Sequence, residues 1–235
     1  MLRSVVAKVL GHSQSASTST VTSLAVFVSG HGRGSNFQAI VDGCARENFP
    51  AQVAVLVSLN PEAGAVERAH KHNIPVEIID PKSFASPEEL DAEIVRRLRQ
   101  FEVGLVCNAG YLRLLTPVLI REYPNRIMNI HPALLPAFGG MGMYGRRVHE
   151  AVIASGTKVS GATVHFVDGE YDHGPIILQK TVPVEDDDTP ETLAARVLTV
   201  EHEIYPQSIE LFAQDRLRVE GRRVIILPHT KEATT

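Results

Sequence analysis

Asn129 and His131 stand two residues apart in Ile127-Met-Asn-Ile-His-Pro-Ala-Leu-Leu-Pro136, where an apolar run gives way to a proline-punctuated segment. On a strand, residues at that spacing point to one face. A carboxamide supplies an N–H donor that never ionises, and an imidazole supplies a proton that moves near neutral pH. Together they suit a reaction in which an oxyanion is held while a proton is delivered. The alternative is a turn histidine whose ring satisfies a nearby carbonyl. Asp172, in the loop Asp168-Gly-Glu-Tyr-Asp-His-Gly-Pro175, is open to two readings of its own. It is a turn residue, or it is the carboxylate that keeps His131 protonated.

These side chains need a scaffold. Leu24–Val28 reads as a buried strand, Ser29–Asn36 as a glycine-rich loop, and Phe37–Cys44 as a helix. That order predicts backbone N–H groups facing an anion at a helix N-terminus, or else a tight turn. The loop has neither G-x-G-x-x-G nor a Walker A lysine. Strands at 52–58, 76–79, 103–109 and 126–130 alternate with helices at 62–72, 86–100 and after Thr116. The pattern predicts an α/β fold: a doubly wound, mostly parallel sheet with helices on both faces. Ligands of such sheets bind outside the carboxyl ends of the strands, where Asn129 and His131 fall. Further on, 138–145 is too glycine-rich for regular structure and reads as a closing loop or a connector. A helix at 147–155 follows, then strands at 159–167 and 176–182, the pair antiparallel. A last helix opens at Thr189-Pro190, reaches Tyr205 and resumes beyond Pro206, and 219–226 forms a hairpin around Gly221. Arg96, Arg97 and Arg99 read as the solvated end of their helix.

The 235 residues fit one domain, 24–228, with an extension at 1–23 and a tail at 229–235. Residues 1–23 carry Arg3 and Lys8 but no acid, and are rich in Ser and Thr from Ser13 on. They read as a disordered extension, with a transit peptide as the other reading. Location is therefore cytoplasmic, or organellar if that segment acts as an address. A hydrophobic content of 44% supports a sizeable core, and a net charge of −4 speaks against a nucleic-acid binder. No apolar stretch approaches the ~20 residues of a membrane span. Cys44 and Cys107 match neither a zinc nor a disulfide spacing.

The set Ser29-Gly30…Gly34-Ser35-Asn36, Ala109-Gly-Tyr-Leu-Arg-Leu-Leu115, Asn129-Ile-His-Pro-Ala-Leu-Leu-Pro136 and Tyr171-Asp-His-Gly-Pro175 resembles the phosphoribosylglycinamide formyltransferase family, over about 24–224. The resemblance implies the formyltransferase fold, with a Rossmann-like N-terminal half, and 10-formyltetrahydrofolate as co-substrate without a metal. It implies small-molecule partners, glycinamide ribonucleotide and folate, with monomer and homodimer both open. Asn129, His131 and Asp172 would be the catalytic trio. Gly34, Ser35, Asn36 and Glu201 would hold the substrate phosphate and ribonucleotide. Leu112, Arg113, Leu114, Leu115, Asn129, Asp168, Gly169, Glu170, Tyr171 and Asp172 would bind the folate.

Three departures stand out. The glycine-rich loop is longer by two residues and brings in Arg33. Leu198 stands where many members carry a polar or basic contact, and Pro87 where some carry a folate-contacting arginine, with Lys82 as the substitute. Relatives that hydrolyse formyltetrahydrofolate carry an extra N-terminal domain, longer than 1–23. Those that formylate methionyl-tRNA need a C-terminal RNA-binding domain, and nothing of that size follows Pro228. A ligand-binding module without turnover is the non-enzymatic alternative.

Overall fold

Alternating side chains of the first strand feed two cores, one on each face of a nine-stranded sheet. In the computed structural model, which describes residues 21–30 and 32–229, strand β1 (Thr22–Val28) sends Leu24, Val26 and Val28 into one core and Ala25 and Phe27 into the other. The chain continues through α1 (Ser35–Cys44), β2 (Ala51–Ser58), α2 (Gly64–Lys71), β3 (Val76–Ile78), α3 (Pro87–Leu98), β4 (Leu105–Asn108), α4 (Pro117–Glu122) and β5 (Ile127–His131). It ends with α5 (Arg146–Ala154), β6 (Val159–Phe166), β7 (Ile176–Pro183), α6 (Pro190–Ala213), β8 (Leu217–Glu220) and β9 (Arg223–Ile226). Strand order is β3-β2-β1-β4-β5-β6-β7-β9-β8, parallel from β3 to β5 and antiparallel at β5–β6, β6–β7 and β8–β9. The direction of winding reverses between β1 and β4, which opens a crevice at their carboxyl ends. α1, α2, α5 and α6 cover one face, and α3 and α4 the other.

The doubly wound sheet is as expected, and several boundaries move. Strand β1 begins at Thr22 instead of Leu24, so the proposed extension gives up its last two residues; its first twenty lie outside the described residues, as does the tail from 230. Helix α1 starts at Ser35, two residues early, because Gly34 takes a left-handed conformation (φ 71°) and serves as its N-cap. A Cβ there would sit 2.7 Å from the Ala65 backbone at the start of α2, so glycine is required on both counts.

Helix α6 runs unbroken through Pro206, where the sequence suggested an interruption. An internal proline costs about 3 kcal/mol. Against that, Leu193, Val197, Val200, Ile204, Ser208 and Leu211 form one buried stripe, each apolar member worth roughly 1.5–3 kcal/mol. The proline ring itself seats on Gly43 of α1, where a Cβ would come within 2.8 Å. Arg97 is also not simply solvated. It pairs with Glu93 at 2.7 Å and with Glu77 of β3 at 2.8 Å, tying α3 to the sheet edge.

Candidate active site

Strand β5 carries both Asn129 and His131. Met128 and Ile130 point into the α6-side core, so Asn129 and His131 point together to the other face, as their spacing requires. His131 is 3% exposed. Its Nδ1 lies 3.4 Å from Oδ1 of Asp172, and its Nε2 lies 2.8 Å from the Phe138 carbonyl, which accepts. Asp172 sits at φ 52°, a backbone state that aspartate tolerates. Its second oxygen, Oδ2, accepts the Gly140 N–H at 2.9 Å. One carboxylate therefore faces the imidazole and ties down the glycine-rich 138–145 segment.

His165 completes this cluster, and sequence reasoning passed over it. Antiparallel pairing sets it opposite Asn129, with its Nε2 3.1 Å from the Asn129 amide nitrogen and 3.8 Å from Asp172 Oδ1. Its Nδ1 donates to the Phe166 carbonyl at 2.8 Å, so in the neutral ring Nε2 accepts from Asn129. Burial pushes the His165 pKa down and favours that neutral form. The contact fixes the carboxamide flip and leaves its second N–H for a ligand. The only advance signal was a histidine among the β-branched residues of β6.

The segment after His131 is stapled to the next strands. Thr163, fully buried and opposite His131, donates to the Ala133 carbonyl at 2.6 Å and accepts the Leu135 N–H at 3.0 Å. Gln179 of β7 donates to both Thr163 Oγ1 and the Leu135 carbonyl, at 3.0 and 2.9 Å.

These groups open onto a cleft of about 880 Å³ across the ends of β1, β4 and β5, a size suited to a small-molecule ligand. At one end are Asn36 and Glu201. Asn36 donates to Oε2 of the buried Glu201 at 2.6 Å, while its own Oδ1 is buried and unpaired. Burial raises the Glu201 pKa, partly offset by the Asn36 hydrogen bond. The first bond of α1 runs from the Gln38 N–H to the Gly34 carbonyl, so the Ser35 and Asn36 N–H groups remain outside the helical ladder. Ser35 itself lines a neighbouring hollow with Gln38 and Arg68, and Gly34 lies behind the cleft wall.

At the other end Leu112, Arg113, Leu114 and Leu115 follow β4, held where Ser29 Oγ accepts the Leu112 N–H at 2.8 Å. Glu170, Tyr171 and Asp172 complete that wall. Asp168 and Gly169 do not line it. Asp168 instead pairs with His173 at 2.8 Å and accepts the Glu170 N–H, which makes it a turn former. Lys82 and Pro87 are likewise absent from the lining. His149 of α5, 4% exposed with Nδ1 unpaired, does line it, and burial and then the nearby His131 lower its pKa. Among the described residues no group of three or more His, Cys, Asp or Glu could hold a metal ion.

A formyl transferase family model matches residues 22–209 and thereby takes in strands β1 to β7, the residues lining the cleft and Glu201. The chain belongs to the formyl transferase family. It is 48% identical over 195 residues to a chloroplastic phosphoribosylglycinamide formyltransferase of Vigna unguiculata, covering 83% of this chain and 62% of that one. The chain thus spans less than two thirds of that relative's length. It is 42% identical to phosphoribosylglycinamide formyltransferase of Bacillus subtilis (strain 168), over 79% of this chain and 92% of the other. The crystal structure of glycinamide ribonucleotide transformylase 1 from Symbiobacterium toebii superposes with a TM-score of 0.84 at 43% identity, covering 93% and 99% of the two chains. Within this formyl transferase, the four motifs that carried the resemblance converge on the same cleft or its immediate supports.

Proposed function

We propose that the chain transfers the formyl group of 10-formyltetrahydrofolate to the amine of glycinamide ribonucleotide, giving N-formylglycinamide ribonucleotide and tetrahydrofolate. The observation that carries this reading is one continuous cleft with Asn129, His131 and Asp172 in its wall, a helix start without a side-chain cap beside Asn36 at one end, and Leu112–Leu115 at the other. Phosphate sits at the N-terminus of α1, the pterin lies along 112–115 and 170–172, and the amine and formyl carbon meet beside Asn129.

In the reaction the amine lone pair forms the new C–N bond, and the carbonyl π pair moves to oxygen. Asn129 donates its free N–H to that oxyanion, and removing such a donor costs ~10²–10³ in rate. His131 also donates to it, exchanging its Phe138 carbonyl partner for the substrate oxygen. The ammonium of the intermediate loses a proton, the oxyanion re-forms the C=O bond as the bond to the folate nitrogen breaks, and the pair left on that nitrogen takes up a proton relayed through His131 or through a water held by Asp172. Proton transfer of this kind is worth roughly 10²–10⁴. Asp172, with Oδ1 3.4 Å from Nδ1, orients the imidazole for this transfer.

Tetrahydrofolate release from 10-formyltetrahydrofolate, followed with and without glycinamide ribonucleotide, tests this reading. Release that requires the ribonucleotide supports it. Release without the ribonucleotide means hydrolysis, and binding without turnover means a binding module. The enzyme works as a monomer or homodimer in the cytoplasm, or in an organelle if residues 1–23 serve as a transit peptide. Fluorescent fusions with and without those residues separate the two locations.

A further inference from the structure

The phosphate end of the cleft lacks a cation on the helix that closes it. α6 contributes the buried carboxyl of Glu201, the aliphatic Leu198 about one turn earlier, and Ala194 and Ala195 before that. A phosphate dianion placed there meets helix N–H groups and an acid. Four arginines line the cleft: Arg33, Arg113, Arg146 and Arg147. Arg146 is engaged by Glu150 and Glu191 at 2.7 and 2.6 Å, and Arg147 lies over the Tyr144 ring at 5.4 Å. Arg113 belongs to the opposite end. Arg33 directly precedes Gly34, its side chain is exposed, and it forms no ion pair among the described residues.

The backbone of Arg33 is nevertheless fixed. Its carbonyl accepts the Arg68 Nε–H at 3.0 Å, and Arg68 is further held by Gln38 at 3.1 Å. Gly64 lies against that same carbonyl, where a Cβ would come within 2.9 Å of the oxygen. Helix α2 thus anchors the loop through the Arg33 backbone, while Arg33 itself is exposed and among the residues lining the cleft. Guanidinium donors in a planar fork match phosphate oxygens.

Resting on the transferase reading above, we propose that Arg33 is a specificity-determining residue, supplying the cation that recognises the phosphate monoester of the acceptor and doing from the loop what Leu198 cannot do from α6. The test titrates the full chain, without folate, with glycinamide ribonucleotide and with its dephosphorylated nucleoside. Arg33→Gln should weaken ribonucleotide binding by about 10- to 100-fold and leave nucleoside binding unchanged. Adding Leu198→Lys to Arg33→Gln, which returns a cation from the facing wall, should recover most of the loss. Binding of the ribonucleotide within threefold of wild type in Arg33→Gln, or an equal loss for the nucleoside, overturns the proposal. If phosphate- and Arg33-dependent binding is found without formyl transfer, the activity reading fails and the role of Arg33 stands. If transfer is found with an unchanged ribonucleotide KM in Arg33→Gln, the activity reading stands and the role of Arg33 fails. No binding by the wild type removes both.

Discussion

Replacing Asp172 in two ways separates its charge from its role as an anchor. Asparagine keeps the shape, can accept the Gly140 N–H through its carbonyl oxygen, and tolerates the φ of 52° at this position. What it removes is the negative charge 3.4 Å from His131 Nδ1. If that charge holds the imidazolium for proton delivery, kcat should fall by ~10²–10⁴, a loss of about 3–5 kcal/mol of transition-state stabilisation. Stability should stay within about 1 kcal/mol of wild type. Alanine removes the charge and the Gly140 anchor, and it places a residue with no local hydrogen bond in the left-handed region at a cost of about 1–2 kcal/mol. With a charge-assisted hydrogen bond at roughly 1.5–3 kcal/mol, Asp172→Ala should lose about 2–5 kcal/mol of unfolding free energy beside a kcat at least as low. Steady-state turnover and urea unfolding on both variants give the comparison. An Asp172→Asn enzyme retaining more than a third of wild-type kcat would refute the charge argument. Equal stability of the two variants would refute the anchor.

Other perturbations probe the supports. Thr163→Val keeps the volume but leaves the Leu135 N–H and the Ala133 carbonyl without their partner; at about 1–3 kcal/mol each, urea unfolding should show a loss of about 2–6 kcal/mol, and less than 1 would contradict the staple. Asn36→Ala should raise the ribonucleotide KM about tenfold or more with little change in kcat or folate KM, since phosphate holding is uniform binding; a loss confined to folate KM would move Asn36 out of the phosphate end. Glu201 has its pKa raised in the fold above the ordinary 4.5, so the folded state binds more protons between those two values, and its contribution falls as pH rises through that window. Glu201→Gln, which can still accept from Asn36, should therefore raise the urea midpoint more at pH 7 than at pH 4.5; an equal shift at both would mean that folding does not raise the Glu201 pKa.

How far the site could be read in advance follows from which constraints are local. Asn129 and His131 were legible because a period of two, an apolar run and a following proline are all contained in ten residues. The glycine-rich loop and the helix after it were legible for the same reason. His165 was not. Its role depends on the β5–β6 register, which sets it opposite Asn129 from 36 positions away, and a slip of one residue would turn it to the other face. The early start of α1 depends on Ala65 crowding Gly34, and the continuity of α6 on Gly43 receiving Pro206. Each was misplaced because a partner from another part of the fold overrode a local preference. Arg33 lies between these cases: its loop is legible as glycine-rich, but its place in the cleft lining depends on the contacts α2 makes with its backbone. Chemistry at strand ends is therefore encoded by neighbours in sequence, whereas the groups that tune it are encoded by register and packing, and a substitution in α2 or β6 can alter catalysis without touching a motif.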